Sequence, residues 1–508
     1  MSESRTKNTK RNIVFSYVEI FMATAFAFVS RSLIVHYLGD EYLGLSSLFS
    51  SILQVLSMAE LGFSSAIVYN MYKPLAEGDT QKVCALLTYY RKVYRVVGIT
   101  ILIAGIAISP FLPKLIHGDV PKDINLYVIY FIFLANTAVS YFAFAYKTAL
   151  LEALQRLDLT KKAYFIVGIA QYILQIVLLV TTRNYVLYIL VLVVTTIARN
   201  IAVGWISAKK YPQYQCSGEI DTATKKDIFQ RVRGLLVGNI SAVTYTTLDS
   251  IILSSLVGLT AVAIYNNYFM VCSQLLNLVV LIRNAMQASV GNSIAKESVE
   301  KNYKDMLKWQ FLFALIASWC VTCMFSIFQP FMTMWMGAER LLSMKDVSIL
   351  CMWFFAITAQ HSFFLYLSGN GLWWEMRWPY IMSSVCNLVL NIVLGKTLGI
   401  TGILLASLIS STAFGLLWQC TILFKNYFNR TPIQFYLREI IYFMGCVVSC
   451  AGSYFLNTLI HIDGIPGLIL RGMICTVAFA AISFIAYSRT KIFKDAKEFV
   501  IRAIKNKG

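Results

Sequence analysis

AYFIVGIAQYILQIVLLVTTRNYVLYILVLVVTTIARNIAVGWI, residues 163–206, holds two apolar runs, 163–181 and 185–206, parted by a short polar turn around Arg183 and Asn184. Each run can carry a helix across a bilayer, which takes roughly 20 apolar residues at 1.5 Å per residue. Neither shows the period-2 alternation of a barrel strand. Working outward, similar runs lie near 13–38, 44–70, 84–109, 123–146, 234–257, 260–289, 309–336, 347–371, 380–398, 400–424, 437–460 and 467–488. The pattern predicts an all-α membrane protein with about 14 transmembrane helices. The third run is the least regular, because Arg91, Lys92 and Arg95 interrupt its first half.

Composition excludes a water-soluble chain. Of 508 residues, 58% are apolar and 14% are charged, against about 25% charged in soluble domains. Mean hydropathy is +0.65. Too few polar residues exist to coat the cores such a chain would need, so the excess apolar surface must face lipid. Met1–Asn12 is polar and basic, and the apolar run after it is too long for a cleaved signal; it is expected to remain as a span. The eleven cysteines fall almost entirely in apolar runs, where they pack as small hydrophobes. Cys320 and Cys323 form a C-x-x-C pair inside a span, which argues against redox or metal chemistry, and no metal-ligand spacing is present.

Lysine and arginine fix the orientation. Of the 44, 32 fall on the segments of one side (1–12, 71–83, 147–162, 207–233, 283–308, 372–379, 425–438 and 489–507) and 6 on those of the other. Basic residues accumulate on cytoplasmic loops, so both termini are expected in the cytoplasm. The net charge of +19 is mostly a topology signal. It favours contact with anionic membrane lipids and gives no reason to invoke nucleic acid. In the tail, Ile492, Phe493, Ala496, Phe499, Val500, Ala503 and Ile504 recur at helical spacing among basic residues. A basic amphipathic helix in the inner interface and a solvated tail both fit that pattern.

Function should be sought among charges inside spans. A charge at the bilayer centre costs about 2.5–3.5 kcal/mol on insertion scales, so such groups face a bundle interior or a wet cavity. Glu60, Arg199, Asp249 and His361 fall near mid-span, with Glu19 and Arg31 nearer the ends of the first. Polar stripes join them: Tyr17, Thr24 and Arg31; Ser57, Glu60 and Ser64; Tyr245, Thr246 and Asp249; Arg283 with Gln287. Spans one, two, seven and eight are expected to turn these stripes to one cavity. The candidate substrate-binding residues are Arg31, Glu60, Arg199, Asp249, Arg283 and Gln287. Plainer roles stay open: an Arg31–Asp249 ion pair holding the halves together, a packing carboxyl at Glu60, a satisfied core histidine at His361. Arg91, Lys92 and Arg95 either snorkel to the basic side or contact phosphate.

An internal similarity adds symmetry. Ser30–Gly39 (SRSLIVHYLG) and Asp249–Gly258 (DSIILSSLVG) match at an offset of 219, each at the outer end of a long span. Two repeats of six helices suit a transporter whose lobes rock around a central site.

The stretch Leu38–Lys73, followed by the turn Pro74–Lys82, resembles bacterial polysaccharide flippases of the multidrug/oligosaccharidyl-lipid/polysaccharide exporter superfamily. The likeness rests on Leu38-Gly39-Asp40-Glu41-Tyr42-Leu43-Gly44 in the outer turn and Ala59-Glu60-Leu61-Gly62 in the second span. It is strongest over 1–110. The resemblance implies a V of two six-helix lobes, 1–233 and 234–435, with spans 13 and 14 and a basic cytoplasmic tail in 436–508. It implies transport of undecaprenyl-diphosphate-linked oligosaccharide by alternating access in the bacterial inner membrane. Related lipid flippases turn arginines of the first and eighth spans to the cavity, and Arg31 and Arg283 occupy those spans here. No cofactor is expected; some branches use a Na+ or H+ gradient, for which Asp249 or Glu60 are the candidates. A monomer is expected, near polysaccharide synthesis and polymerase proteins. Two other classes compete: a cation-coupled multidrug exporter of the same superfamily, and a membrane glycosyltransferase or polymerase. The latter needs a large outer loop with acid/base groups, and the outer loops are short.

Overall fold

The structure, a computed structural model, describes the backbone of residues 5–505 apart from positions 61, 119 and 143. Side chains are described in that range except 5–14, 16, 17, 59, 233–239, 241–246, 288, 500 and 502–505. Among the described residues every regular element is helical. The helices are α1 (Arg5–Tyr37), α2 (Asp40–Leu56), α3 (Phe63–Glu77), α4 (Thr80–Ile108), α5 (Leu126–Phe142), α6 (Lys147–Ala153), α7 (Leu157–Thr182), α8 (Tyr185–Lys210) and α9 (Thr222–Leu256). There follow α10 (Leu259–Lys296), α11 (Val299–Met336), α12 (Met344–Gly369), α13 (Arg377–Leu398), α14 (Ile400–Ser410), α15 (Gln419–Leu423), α16 (Ile433–Thr458), α17 (Gly464–Tyr487) and α18 (Lys491–Lys505).

Among the described residues eleven helices are long and apolar enough to cross a membrane, twelve if the bent α5–α6 pair is one span, against about fourteen expected. The run 44–70 falls short because the 3-10 turn Ser57–Glu60, followed by Gly62 at φ 97°, cuts it into α2 and α3 of 17 and 15 residues. The run 234–257 lies in the 35-residue α9, of which Thr247–Leu256 forms the short apolar piece among the described residues. The third run is a better span than its charges suggest. Arg91, Lys92 and Arg95 occupy the first half of α4, and the apolar stretch continues through a 3-10 segment to Leu115. The run 400–424 is one span in which the π-helical segment Ser411–Trp418 joins α14 to α15 and a second, Phe424–Phe428, extends α15.

The chain divides into two compact units, Met1–Ala263 and Ile264–Gly508. In the first, α7 lies against α1 and α8, α5 against α4 and α8, and α9 against α2 and α3. In the second, α11 is the centre: α12, α16, α17 and α18 all pack on it, while α13 packs on α14. Of the tail helix, Phe493 meets Phe311 and Phe484, and Phe499 meets Trp309 edge-on at 4.8 Å. Large apolar side chains point outward on many helices, Val477 and Ile485 of α17 among the most exposed, as a lipid-facing surface requires.

The offset of 219 runs well beyond the two matched segments. The starts of α2 and α4, at 40 and 80, become 259 and 299, where α10 and α11 begin. Even the caps correspond: Asp79 accepts from the Lys82 amide at 2.9 Å, and Ser298 from the Lys301 amide at 3.3 Å. Gly44 allows one close approach, since a Cβ there would lie 2.3 Å from the Leu259 carbonyl oxygen.

Candidate functional site

In the first unit a polar seam follows α7 between α1 and α8. Lys161 Nζ bridges Glu19 Oε2 at 3.0 Å. Further along, Arg199 donates to Gln171 Oε1 at 2.8 Å and lies 5.6 Å from the Tyr164 ring centre. That oxygen also accepts from Thr195 at 3.1 Å. Gln171 donates to Gln175, which in turn donates to the Tyr188 carbonyl, both at 3.3 Å. Arg31 sits beside Tyr188. One amide chain therefore connects the neighbourhoods of Arg199 and Arg31, about 16 Å apart along α8 if 11 residues each rise 1.5 Å. The Arg199 Nε is buried without a partner, and no carboxylate touches this guanidinium among the described residues.

Glu60 belongs to a different contact. It closes the 3-10 turn between α2 and α3, and Tyr94 of α4 donates to its Oε1 at 2.5 Å. Tyr90 and Tyr141 flank Tyr94, with ring centres 4.3 and 5.4 Å away. Asp249 is buried on α9, next to buried Ser250. Of the stripe residues, Tyr17, Tyr245 and Thr246 lie outside the described side chains, as do Ala59 and Leu61 of the second motif.

The cation trio of α4 separates. Lys92 pairs with Glu219 at 2.8 Å, Arg95 is exposed, and Arg91 turns to Tyr146. Glu219 is an exposed loop carboxylate, held below its ordinary value first by the Lys92 hydrogen bond and then by the charges of Lys92 and Lys225.

In the second unit Arg283 is the centre of the polar group. It donates to Asn284 Oδ1 at 3.1 Å, lies 3.4 Å from His361 Nδ1 and stands 4.8 Å from the Phe364 ring centre. Gln287, one turn on, donates to the Ser368 hydroxyl of α12. His361 is not the satisfied core histidine of the plainer reading. It meets Arg283, and its Nε2 is buried with no partner. No carboxylate contacts Arg283 among the described residues.

Residues 9–290, more than half of the chain, match a family model described as polysaccharide biosynthesis protein. The chain belongs to the polysaccharide biosynthesis protein family. Its fold is similar to those of solved transporters of the MOP superfamily. It is similar to the lipid II flippase MurJ in an inward closed conformation, at 15% identity and TM-score 0.66, covering 94% of this chain and 99% of that one. It is also similar to an inward-facing multidrug resistance MATE family transporter of the MOP superfamily, at 14% identity and TM-score 0.61, covering 80% and 97%. It is similar too to a MOP superfamily transporter from Pyrococcus furiosus, at 13% identity and TM-score 0.56, covering 85% of this chain and 98% of that one. No curated protein matches in sequence.

For this member of the polysaccharide biosynthesis family, the sequence reading missed the neutral half of the seam. Gln171 and Gln175 were visible as two amides one turn apart in an apolar run, a spacing that lets them bond each other. Asn284 had no comparable signal, because its partner is the neighbouring Arg283.

Proposed function

We propose that the protein flips undecaprenyl-diphosphate-linked oligosaccharide units across the cytoplasmic membrane by alternating access, for cell-surface polysaccharide biosynthesis. The observation that carries this reading is Arg283, a guanidinium on a membrane-length helix that meets an amide, an imidazole and a ring, with no carboxylate beside it among the described residues. A cation in that setting, partly withdrawn from water, lacks the counter-charge that a visiting anion can supply. A diphosphate supplies that anion, and arginine grips its oxygens bidentately. Arg199 is held by the same kind of neutral partners. Arg31 and Arg283 are the proposed diphosphate ligands. Gln171, Gln175, Thr195, Asn284 and Gln287 offer amide and hydroxyl groups of the kind sugars bond, and the polyprenyl chain can stay in lipid. Glu60 and Asp249 are the proposed coupling carboxylates if a cation gradient drives the cycle. The work is transport, with no bond made or broken in the cargo.

The test is flipping of an undecaprenyl-diphosphate oligosaccharide in proteoliposomes, read by access of an added glycosidase to the sugar. Arg283→Ala should slow it about 10- to 100-fold, the loss of one charge-assisted contact worth about 1.5–3 kcal/mol. Arg283→Lys should recover part of the rate, since it keeps the charge and loses the planar fork. Undiminished flipping by both Arg31→Ala and Arg283→Ala would refute the proposal.

A further inference from the structure

Arg91 is the one cation of its trio that turns inward, and it turns toward another cation. Lys147, the first residue of α6, lies within electrostatic reach of it. Lys147 is only 8% exposed, and its ammonium donates to the Tyr214 carbonyl at 2.7 Å. Arg91 reaches the Tyr146 hydroxyl, while its Nε is buried without a partner. The groups facing the pair are the thiols of Cys84 and Cys216, the Tyr146 hydroxyl and the Tyr214 carbonyl. Among the described residues no carboxylate joins them. The loop between α8 and α9 lies across this corner, with the Cys84 thiol 3.5 Å from the Gln213 carbonyl and Glu219 paired to Lys92.

Two like charges withdrawn from water repel each other, and each forfeits hydration. Proteins relieve that cost with a carboxylate or with a bound anion, and here the first is missing. We propose that Arg91 and Lys147 form a phosphate-binding site at the basic end of the first unit. Arginine supplies a planar fork and lysine a point charge, a combination suited to a phosphate monoester, a diphosphate or a phosphodiester headgroup. The ligand is either a soluble phosphate compound or an anionic lipid whose headgroup enters from the membrane surface. The site does not depend on the transport reading and stands or falls separately from it.

The full-length protein, purified in detergent, is tested by thermal unfolding with millimolar pyrophosphate against equal ionic strength of chloride. Native mass spectrometry follows reconstitution in vesicles of phosphatidylglycerol or of phosphatidylcholine alone. A rise in Tm of about 2 °C with pyrophosphate, or retained phosphatidylglycerol without phosphatidylcholine, supports the site. The first result assigns a soluble ligand and the second a lipid. Arg91→Gln should abolish the response. Lys147→Glu guards against a variant that merely misfolds. Its carboxylate would pair with Arg91 in place of the ligand, offsetting the lost bond to the Tyr214 carbonyl and leaving a folded protein unresponsive to phosphate. The proposal is overturned if neither phosphate source registers on the parent, or if Arg91→Gln and Lys147→Glu both respond as the parent does.

Discussion

At the ends of α1 and α9 the backbone makes the same two bonds. Leu38 N and Gly39 N both donate to the Ile34 carbonyl, and Val257 N and Gly258 N both donate to the Leu253 carbonyl. Gly39 and Gly258 then take φ of 115° and 123°, a region that L side chains enter only at a cost. Beyond that point the two regions diverge. α2 stops after 17 residues at the turn that carries Glu60, whereas α10 runs unbroken for 38. At the offset of 219, Glu60 corresponds to Val279 and Arg283 to Ser64. A turn that only one residue type can make is held fixed, while helix interiors exchange charge for apolar or neutral groups freely. The first copy put a carboxylate at a break, and the second put a guanidinium in a continuous helix.

The comparison is most sharply broken at Gly44. Its counterpart is Ala263, which already carries a Cβ and is fully buried. Gly44→Leu should cost about 3 kcal/mol, the upper part of the usual range for overpacking, because the obstacle is the backbone of Leu259 rather than a side chain that can swing away. Ala263→Gly should cost about 1 kcal/mol, the ordinary helix penalty. Thermal midpoints in detergent check both, and equal losses at the two positions would deny that the close approach is confined to the first copy.

The glycine turns come next. Alanine at either should cost about 1–2 kcal/mol for entering the left-handed region. Gly258→Ala should be the worse, since its Cβ would meet the His117 carbonyl oxygen at 3.0 Å, while that of Gly39 meets only the mobile Glu41 carboxylate. A smaller loss is expected at Tyr94→Phe. It removes the bond to Glu60 and should cost about 1 kcal/mol, with Glu60→Gln milder because an amide oxygen can still accept. If Tyr94→Phe leaves the unfolding midpoint unchanged, Glu60 does not depend on this bond at the break.

Much of this was legible in the sequence, for physical reasons that also mark where legibility ends. Span length follows from a run of apolar residues, so helices such as α7 and α8 could be placed from 163–206 alone. The cut in 44–70 could not, because a broken helix keeps its hydropathy; only Glu60 and Gly62 two residues apart hinted at it. Arg283 was readable as a charge in the wrong solvent. Its contact with His361 was not, since the two lie 78 residues apart, and sequence proximity to Phe363 and Phe364 suggested a plain core. Arg91, Lys92 and Arg95 looked alike as a trio. What divided them was a loop more than a hundred residues later, which supplies Glu219 to one and brings Tyr214 to the lysine beside another.

The smallest expected effect belongs to that loop and carries the comparison to α4 and α11. At the same offset Arg91 and Lys92 correspond to Gln310 and Phe311, both buried. Neither can form an exposed ion pair, so the pH-dependent strap is expected in the first copy alone. The Glu219 carboxyl is lowered by Lys92 and Lys225 in the folded protein. Its folded value therefore lies below its unfolded one, near 4.3. The resulting stabilisation is fully present above the unfolded value and is lost as pH falls through the lowered one. Lys92→Gln should reduce the thermal midpoint by a small amount at pH 7, and the gap to the parent should close as the pH is taken well below 4. Salt should close it too, because both groups are solvent-exposed. A gap that persisted undiminished in acid would mean that Lys92 stabilises α4 through its aliphatic stem rather than through Glu219.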